Sequence, residues 1–245
     1  MNTALIFAGG TGQRMNSKSR PKQFLELHGK PIIVYTIEWF QKNKEVDEIV
    51  VVCLEEWIKY LEELVNKYSL TKVKQIVKGG NTSQKSIFNG LKVVYENSKN
   101  PKEDIVLIHD GVRPLISDKL IIENIESVKK YGSAITITDA KETIVNIDEL
   151  NTIDNISNRS VCRIAKAPQS FFVDDIYKAH LKILDEGIED VVDSATLMNR
   201  YGYKLYTVEG PHENIKITTP IDYYVFRAIC DAKENSQIFG CEGGN

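Results

Sequence analysis

Gly9, Gly10 and Gly12 stand directly behind a short apolar run at residues 4–7, and two cations, Arg14 and Lys22, follow at short range. Backbone N–H groups in a glycine-rich turn that leads toward a helix form an anion-binding concavity, and the missing side chains let a phosphate approach closely. Arg14 and Lys22 add point charges to those donors, so the stretch FAGGTGQRM reads as a phosphate cradle. It is not a P-loop, because no Gly-Lys-Ser/Thr follows. It is not a dinucleotide fingerprint, because Met15 stands where the third glycine belongs. A helix-surface ion pair is the plainer alternative for Arg14, and a solvated loop charge for Lys22. Their place beside the glycines favours phosphate binding for both. Asp110 closes a second apolar run, in IHDGVRP, with Arg113 three positions on. An aspartate there either caps the following turn or supplies the hard oxygen ligand that magnesium takes together with phosphate oxygens. His109 reads as a packed or turn histidine.

The elements that must hold these residues are legible in the pattern. Residues 4–7, 48–53, the stretch around Val77, residues 104–110 and residues 133–140 are apolar or β-branched runs of the kind buried parallel strands show. Amphipathic helical stretches lie between them at residues 31–41, 54–68, 83–97 and 118–131. Strands alternating with helices predict an α/β fold, a doubly wound and mostly parallel sheet, in which ligands sit outside the carboxyl ends of the strands. The polar stretch 141–171 breaks that rhythm and reads as a projecting hairpin or arm, centred on about residues 139–165. Lys216 is expected at the start of another strand. The chain is expected to form one domain over residues 1–245.

The 245 residues, 42% hydrophobic and 27% charged, suffice for a sizeable core. A formal net charge of -3 gives no electrostatic case for nucleic acid. The four cysteines lack paired spacing, so neither a zinc site nor a disulfide framework is indicated. No run reaches the roughly 20 apolar residues of a membrane span, and no basic segment precedes the first apolar run, so the chain is expected to be cytoplasmic, without a membrane partner.

LIFAGGTGQRM with RPKQFLELHGKPII resembles the nucleotidyltransferase signature, and specifically the cytidylyltransferases that act on ribitol phosphate and methylerythritol phosphate. The likeness continues in order through GGNTSQKSIFNGL, IHDGVRP, APQSF, VVDSATLMNRYGYKL and EGPHENIKITTPID, nearly the whole chain. It implies a Rossmann-like nucleotidyltransferase fold and an acceptor phosphate that attacks the α-phosphorus of CTP. That nucleophile is already an anion near neutral pH, so positioning and charge stabilisation suffice and no catalytic triad is needed.

By the same resemblance Arg14, Lys22 and Lys216 are catalytic cations. Ala8, Gly9, Gly10, Thr11, Gly12, Gly80, Asn81, Ser86 and Asp110 hold the nucleotide, with Arg14 and Lys22. Asn81, Thr82 or Ser83 could equally cap the helix that follows. Asp110 lies near a magnesium ion, the implied cofactor. Asp110, Arg113, Asp193 and Lys216 face the acceptor. Thr143 and Arg159, carried on the arm, reach the acceptor phosphate of a second copy in a homodimer. PKQFLEL, the tryptophan in CLEEWIKY, PQSF and DGVRP lean toward the ribitol phosphate branch, whereas Ser83 and Val192 depart from both branches and remove acceptor-side donors. The expected product is therefore CDP-ribitol, a wall or capsule precursor. The methylerythritol phosphate reaction of isoprenoid synthesis, or another polyol phosphate, is the alternative. A nicotinamide dehydrogenase is disfavoured by the missing third glycine, and a nucleotide-sensing scaffold by the retained cations.

Overall fold

The computed structural model describes residues 1–10, 20–189 and 191–239. In chain order the described elements are β1 (Asn2–Ala8), β2 (Glu26–Leu27), β3 (Lys30–Pro31), α1 (Ile32–Lys42), β4 (Glu48–Cys53), α2 (Ile58–Lys67), β5 (Val73–Lys78), α3 (Ser83–Asn97), β6 (Ile105–Asp110), α4 (Asp118–Tyr131), β7 (Ser133–Asp139), β8 (Val145–Ile147), β9 (Ile153–Ile156), β10 (Arg163–Phe172), α5 (Val173–Asp185), α6 (Ser194–Arg200), β11 (Thr207–Glu209) and α7 (Pro220–Phe239). Strands β11, β7, β10, β6, β1, β4 and β5 lie side by side in that order in one sheet. Only β10 runs against its neighbours β6 and β7. The expected mostly parallel, doubly wound sheet is present.

Both faces of the sheet are covered, which is why its central strands read as continuous apolar runs rather than alternating ones. Ala4, Ile6, Ile49 and Val51 pack under α1, α2 and α4. Leu5, Val50, Val52 and Val106 pack under α3, α5 and α6. Helix α3 lies unusually close to the sheet. A Cβ on Gly90 would stand 2.4 Å from Leu5 Cδ1 and 2.7 Å from Val52 Cγ2, both buried. Gly90→Val should therefore lower stability by about 3 kcal/mol through overpacking, read as a fall in the urea midpoint; an unchanged midpoint would show that the core yields there.

Chain direction across the sheet reverses at β1. From it the path runs outward through β4 to β5, then returns to β6 on its other side. The crevice outside the carboxyl ends of β1 and β6 is thus the topological switch point of the sheet, and Ala8 and Asp110 both end there.

Three expectations need correction. The arm is shorter than the polar stretch suggested: β8 and β9 form a separate hairpin, but Arg163–Phe172 is a strand of the central sheet. Its buried half contains Gln169 and Ser170, whose side chains are satisfied by Asp193 and Asn124, so its core position is written in polar residues. Lys216 starts no strand. The N–H groups of Thr218 and Thr219 donate to the Asp222 carboxylate and open α7 instead of a sheet ladder. Finally, residues 54–68 divide into a 3-10 turn at Glu55–Trp57 and α2. No helix among the described residues is long and apolar enough to cross a membrane.

Candidate active site

The first wall is built on the end of β1. Gln23, 1% exposed, donates from Nε2 to the carbonyl oxygens of Ala8 at 2.6 Å and Gly10 at 3.3 Å. It sits in a single 3-10 turn, Lys22–Phe24, whose Phe24 ring stacks on Trp57 at 4.8 Å. Lys22 is therefore carried on a turn fixed from two sides. Across from Gly9 lies Ser86 on α3, so close that a Cβ on Gly9 would be 2.9 Å from its Oγ. The Gly80 N–H donates to that Oγ at 3.0 Å, and the hydroxyl donates to the Thr82 carbonyl at 2.9 Å. Ala8, Gly9, Gly80 and Ser86 are thus brought together. Of the three possible caps, Thr82 is the one that accepts from Lys85 N, at 3.1 Å; Asn81 is exposed beside it. Thr11, Gly12 and Arg14 lie outside the described residues.

The second wall is a cavity of about 220 Å³ floored by Asp110. Its Oδ1 meets Lys216 Nζ at 2.5 Å and its Oδ2 meets Arg113 Nε at 2.8 Å. Burial alone would raise the Asp110 pKa, but Lys216 and Arg113 outweigh it and hold the carboxyl at about 2. It is an anion at any physiological pH. Arg113 is braced by Nη1 donating to the Asn214 carbonyl at 2.9 Å, and Asn214 in turn donates to the Ala167 carbonyl at 2.7 Å. Lys216 is held by its neighbour: the Ile217 N–H donates to Val112 O at 2.9 Å and its side chain is buried. His109 is fully buried, as a packed histidine should be. Burial lowers its pKa to about 4, and as the neutral imidazole it donates from Nε2 to the Arg113 carbonyl at 3.1 Å.

Two cavity-lining residues escaped the sequence reading. Lys166 on β10 donates to the His212 carbonyl at 3.0 Å and, among the described residues, pairs with no carboxylate. Burial, then the neighbouring Arg113 charge, lowers its pKa. Gln169 donates to Asp193 Oδ2 at 2.9 Å, and Asp193 caps α6 through the Thr196 N–H at 2.8 Å. The signal, AKAPQSF, was present, but nothing in it shows that the middle of β10 lines the cavity. Phe7, Ile87, Ile108 and Val192 make the remaining wall apolar, and Ser83 stands at its rim. Thr143 and Arg159 are exposed on the arm, outside this cavity of their own chain; Arg159 Nη1 donates to Lys141 O at 3.2 Å.

Gly9 and Gly10 behind β1, the four cations Lys22, Arg113, Lys166 and Lys216, and an ionised carboxylate at a switch point can bind two phosphate groups side by side and hold charge that shifts between them. The sequence model for IspD, 2-C-methyl-D-erythritol 4-phosphate cytidylyltransferase, matches residues 2–232. The chain belongs to the IspD family. Within it, a ribitol-5-phosphate cytidylyltransferase of Streptococcus agalactiae serotype V is 52% identical over 98% of this chain and 99% of its own. A 2-C-methyl-D-erythritol 4-phosphate cytidylyltransferase of Clostridium acetobutylicum is 40% identical over 96% and 99%. The crystal structure of an Anaerococcus prevotii 4-diphosphocytidyl-2C-methyl-D-erythritol synthase superposes with a TM-score of 0.81 at 30% identity, covering 94% of this chain and 96% of that one. An IspD-family chain is a nucleotidyltransferase, which agrees with a site rich in phosphate-binding groups.

Proposed function

We propose that the protein transfers a cytidylyl group from CTP to D-ribitol 5-phosphate, giving CDP-ribitol and pyrophosphate. The observation that carries this reading is the 52% identity, over nearly the full length, to a ribitol-5-phosphate cytidylyltransferase, against 40% to the methylerythritol phosphate enzyme. The cation-lined cavity beside the glycine loop supports it chemically.

In this reading the triphosphate lies along Gly9 to Gly12 between Arg14 and Lys22, with Gly80, Asn81 and Ser86 beside the nucleoside. The acceptor phosphate enters between Arg113, Lys166 and Lys216, its polyol running toward Asp193. One of its oxygens attacks the α-phosphorus, the bond to the β-phosphate oxygen breaks, and pyrophosphate departs. No proton has to be removed. Lys22, Lys216 and Arg14 offset the charge that builds on the α-phosphate and the leaving group. A magnesium ion fits the donor set: Asp110 is a permanently ionised hard-oxygen ligand with lone pairs beyond those used by Lys216 and Arg113. Asp110 and triphosphate oxygens would hold it, and it would neutralise phosphate charge.

The arm supports a homodimer. Ile147, Leu150, Ile153, Ile156 and Val161 are each at least 60% exposed on this hairpin and its flank, an apolar surface that a second copy would cover. Arg159 and Thr143 would then reach the partner's acceptor. Mixing Arg159→Ala with Lys22→Ala protomers should regain roughly a quarter of parental activity, because one of the two sites in each mixed dimer is intact and half of the dimers are mixed. Mixed dimers that stay inactive would rule out shared sites.

The test of the function itself is pyrophosphate release from CTP and magnesium with D-ribitol 5-phosphate and 2-C-methyl-D-erythritol 4-phosphate offered separately, and UTP as control. Release with ribitol phosphate and CTP is expected. Release with methylerythritol phosphate alone would transfer the protein to the other branch.

A further inference from the structure

Beyond the apolar end of the acceptor cavity lies a second, much smaller one of about 10 Å³, the room taken by one water or one hydroxyl oxygen. The two share Ser83, Ile87, Val192, Asp193 and Ser194, so the small cavity continues the large one away from its cations. His180 of α5 lines the small cavity and not the large one. It is 2% exposed, and neither Nδ1 nor Nε2 has a hydrogen-bond partner. Buried polar atoms are nearly always satisfied, and one that is not points to a group missing from its surroundings. Burial lowers the His180 pKa to about 4, so the ring is neutral, with one nitrogen to donate and one to accept. That matches a hydroxyl, which does both. Of the neighbouring polar groups, Gln84 and Asp193 are already engaged: Gln84 bonds the Ile188 carbonyl at 2.9 Å and the Val191 N–H at 3.1 Å, and Asp193 caps α6; the hydroxyls of Ser83 and Ser194 line the small cavity beside His180.

We infer that His180 receives the terminal hydroxyl of the acceptor polyol, so that the inner cavity measures chain length and favours a five-carbon over a four-carbon polyol phosphate. This rests on the reading of the site proposed above. With the phosphate held at the Arg113, Lys166 and Lys216 end, a polyol extended along the cavity runs toward Ser83, Val192 and Asp193, which the two cavities share. A four-carbon acceptor ends one carbon short and leaves His180 to a trapped water.

The test compares kcat/KM for D-ribitol 5-phosphate and D-erythritol 4-phosphate in the parent, His180→Phe and His180→Gln. The parent should prefer the five-carbon acceptor. His180→Phe should cut that preference about tenfold, the effect of one lost hydrogen bond, by lowering kcat/KM for ribitol phosphate alone, with KM for CTP unchanged. His180→Gln should restore part of it. Because His180→Phe could fail to fold, Val192→Phe is the second variant: Val192 is 85% exposed and borders both cavities, so a phenylalanine there plugs the passage from outside and should shift the preference the same way. Equal losses on both acceptors, or an unchanged preference in the folded variants, would overturn the inference and leave the ribitol reading standing. A parent that uses neither acceptor would instead sink the reading itself.

Discussion

Lys22→Ala releases pyrophosphate about 100 to 1,000 times more slowly than the parent, the usual effect of removing one preorganised group that stabilises transition-state charge, while its unfolding midpoint hardly moves. The second half of that result follows from the turn that carries Lys22. Gln23 and Phe24 anchor it, Gln23 by its bonds to the Ala8 and Gly10 carbonyls and Phe24 by stacking on Trp57. Both anchors remain when the partly buried lysine side chain is removed, so the turn should keep its place and the change in stability should stay within about 1 kcal/mol. Single-turnover rates at saturating CTP, with chemical denaturation of the same sample, check both parts. A turnover within fivefold of the parent would remove Lys22 from the chemistry.

Asp110→Asn is expected to lose activity on a similar scale, about 100-fold or more, and in contrast to Lys22→Ala to lose stability as well. The carboxylate is 5% exposed and holds Arg113 and Lys216 on separate oxygens. An asparagine keeps the shape but leaves two cations facing each other without their counter-charge. Because the native pKa lies near 2, below the ordinary carboxylate range, ionised Asp110 stabilises the fold above about pH 4 and stops doing so as pH falls toward 2. That contribution is about 2 kcal/mol at neutral pH. The stability gap between parent and variant should therefore be full at pH 7 and shrink between pH 4 and pH 2. Urea titrations at pH 7, 4 and 2.5 read it directly; a gap independent of pH would mean that the pairing is not what stabilises.

The sequence carries much of this architecture because the physics is local. Helices α3 and α4 span Ser83–Asn97 and Asp118–Tyr131 as the amphipathic pattern predicts, each opened by a hydroxyl cap, Thr82 and Ser117. The strands that end at the site are buried on both faces and show it as unbroken apolar runs. What stayed hidden is set by long-range pairing. The core half of β10 is polar in sequence because Ser170 and Gln169 find partners on α4 and beside α6. Lys166 and His180 matter through the cavities they line, and Asn214 through its bonds to Arg113 and Ala167, and no spacing within the chain announces that. Lys216 was found through the family motif, yet its strand was misassigned, since the Asp222 side chain replaces a neighbouring strand as the partner of that backbone.

The ion pair at the centre of the site also bears on how the protein comes into being. Arg113 and the Asn214 carbonyl that braces it are 101 positions apart, and Lys216 is farther still along the chain. During synthesis, Asp110 and Arg113 leave the ribosome long before the segment that completes their pocket. A nascent chain that has not reached Lys216 lacks one of the two counter-ions of its most deeply placed carboxylate, so its α/β core can collapse while the site is still unfinished. Chains cut short before that point would keep the wall built from Ala8, Gly80 and Ser86 but lack the Asn214 brace and the Lys216 counter-ion of the second wall, so the two walls of the site are completed at different times.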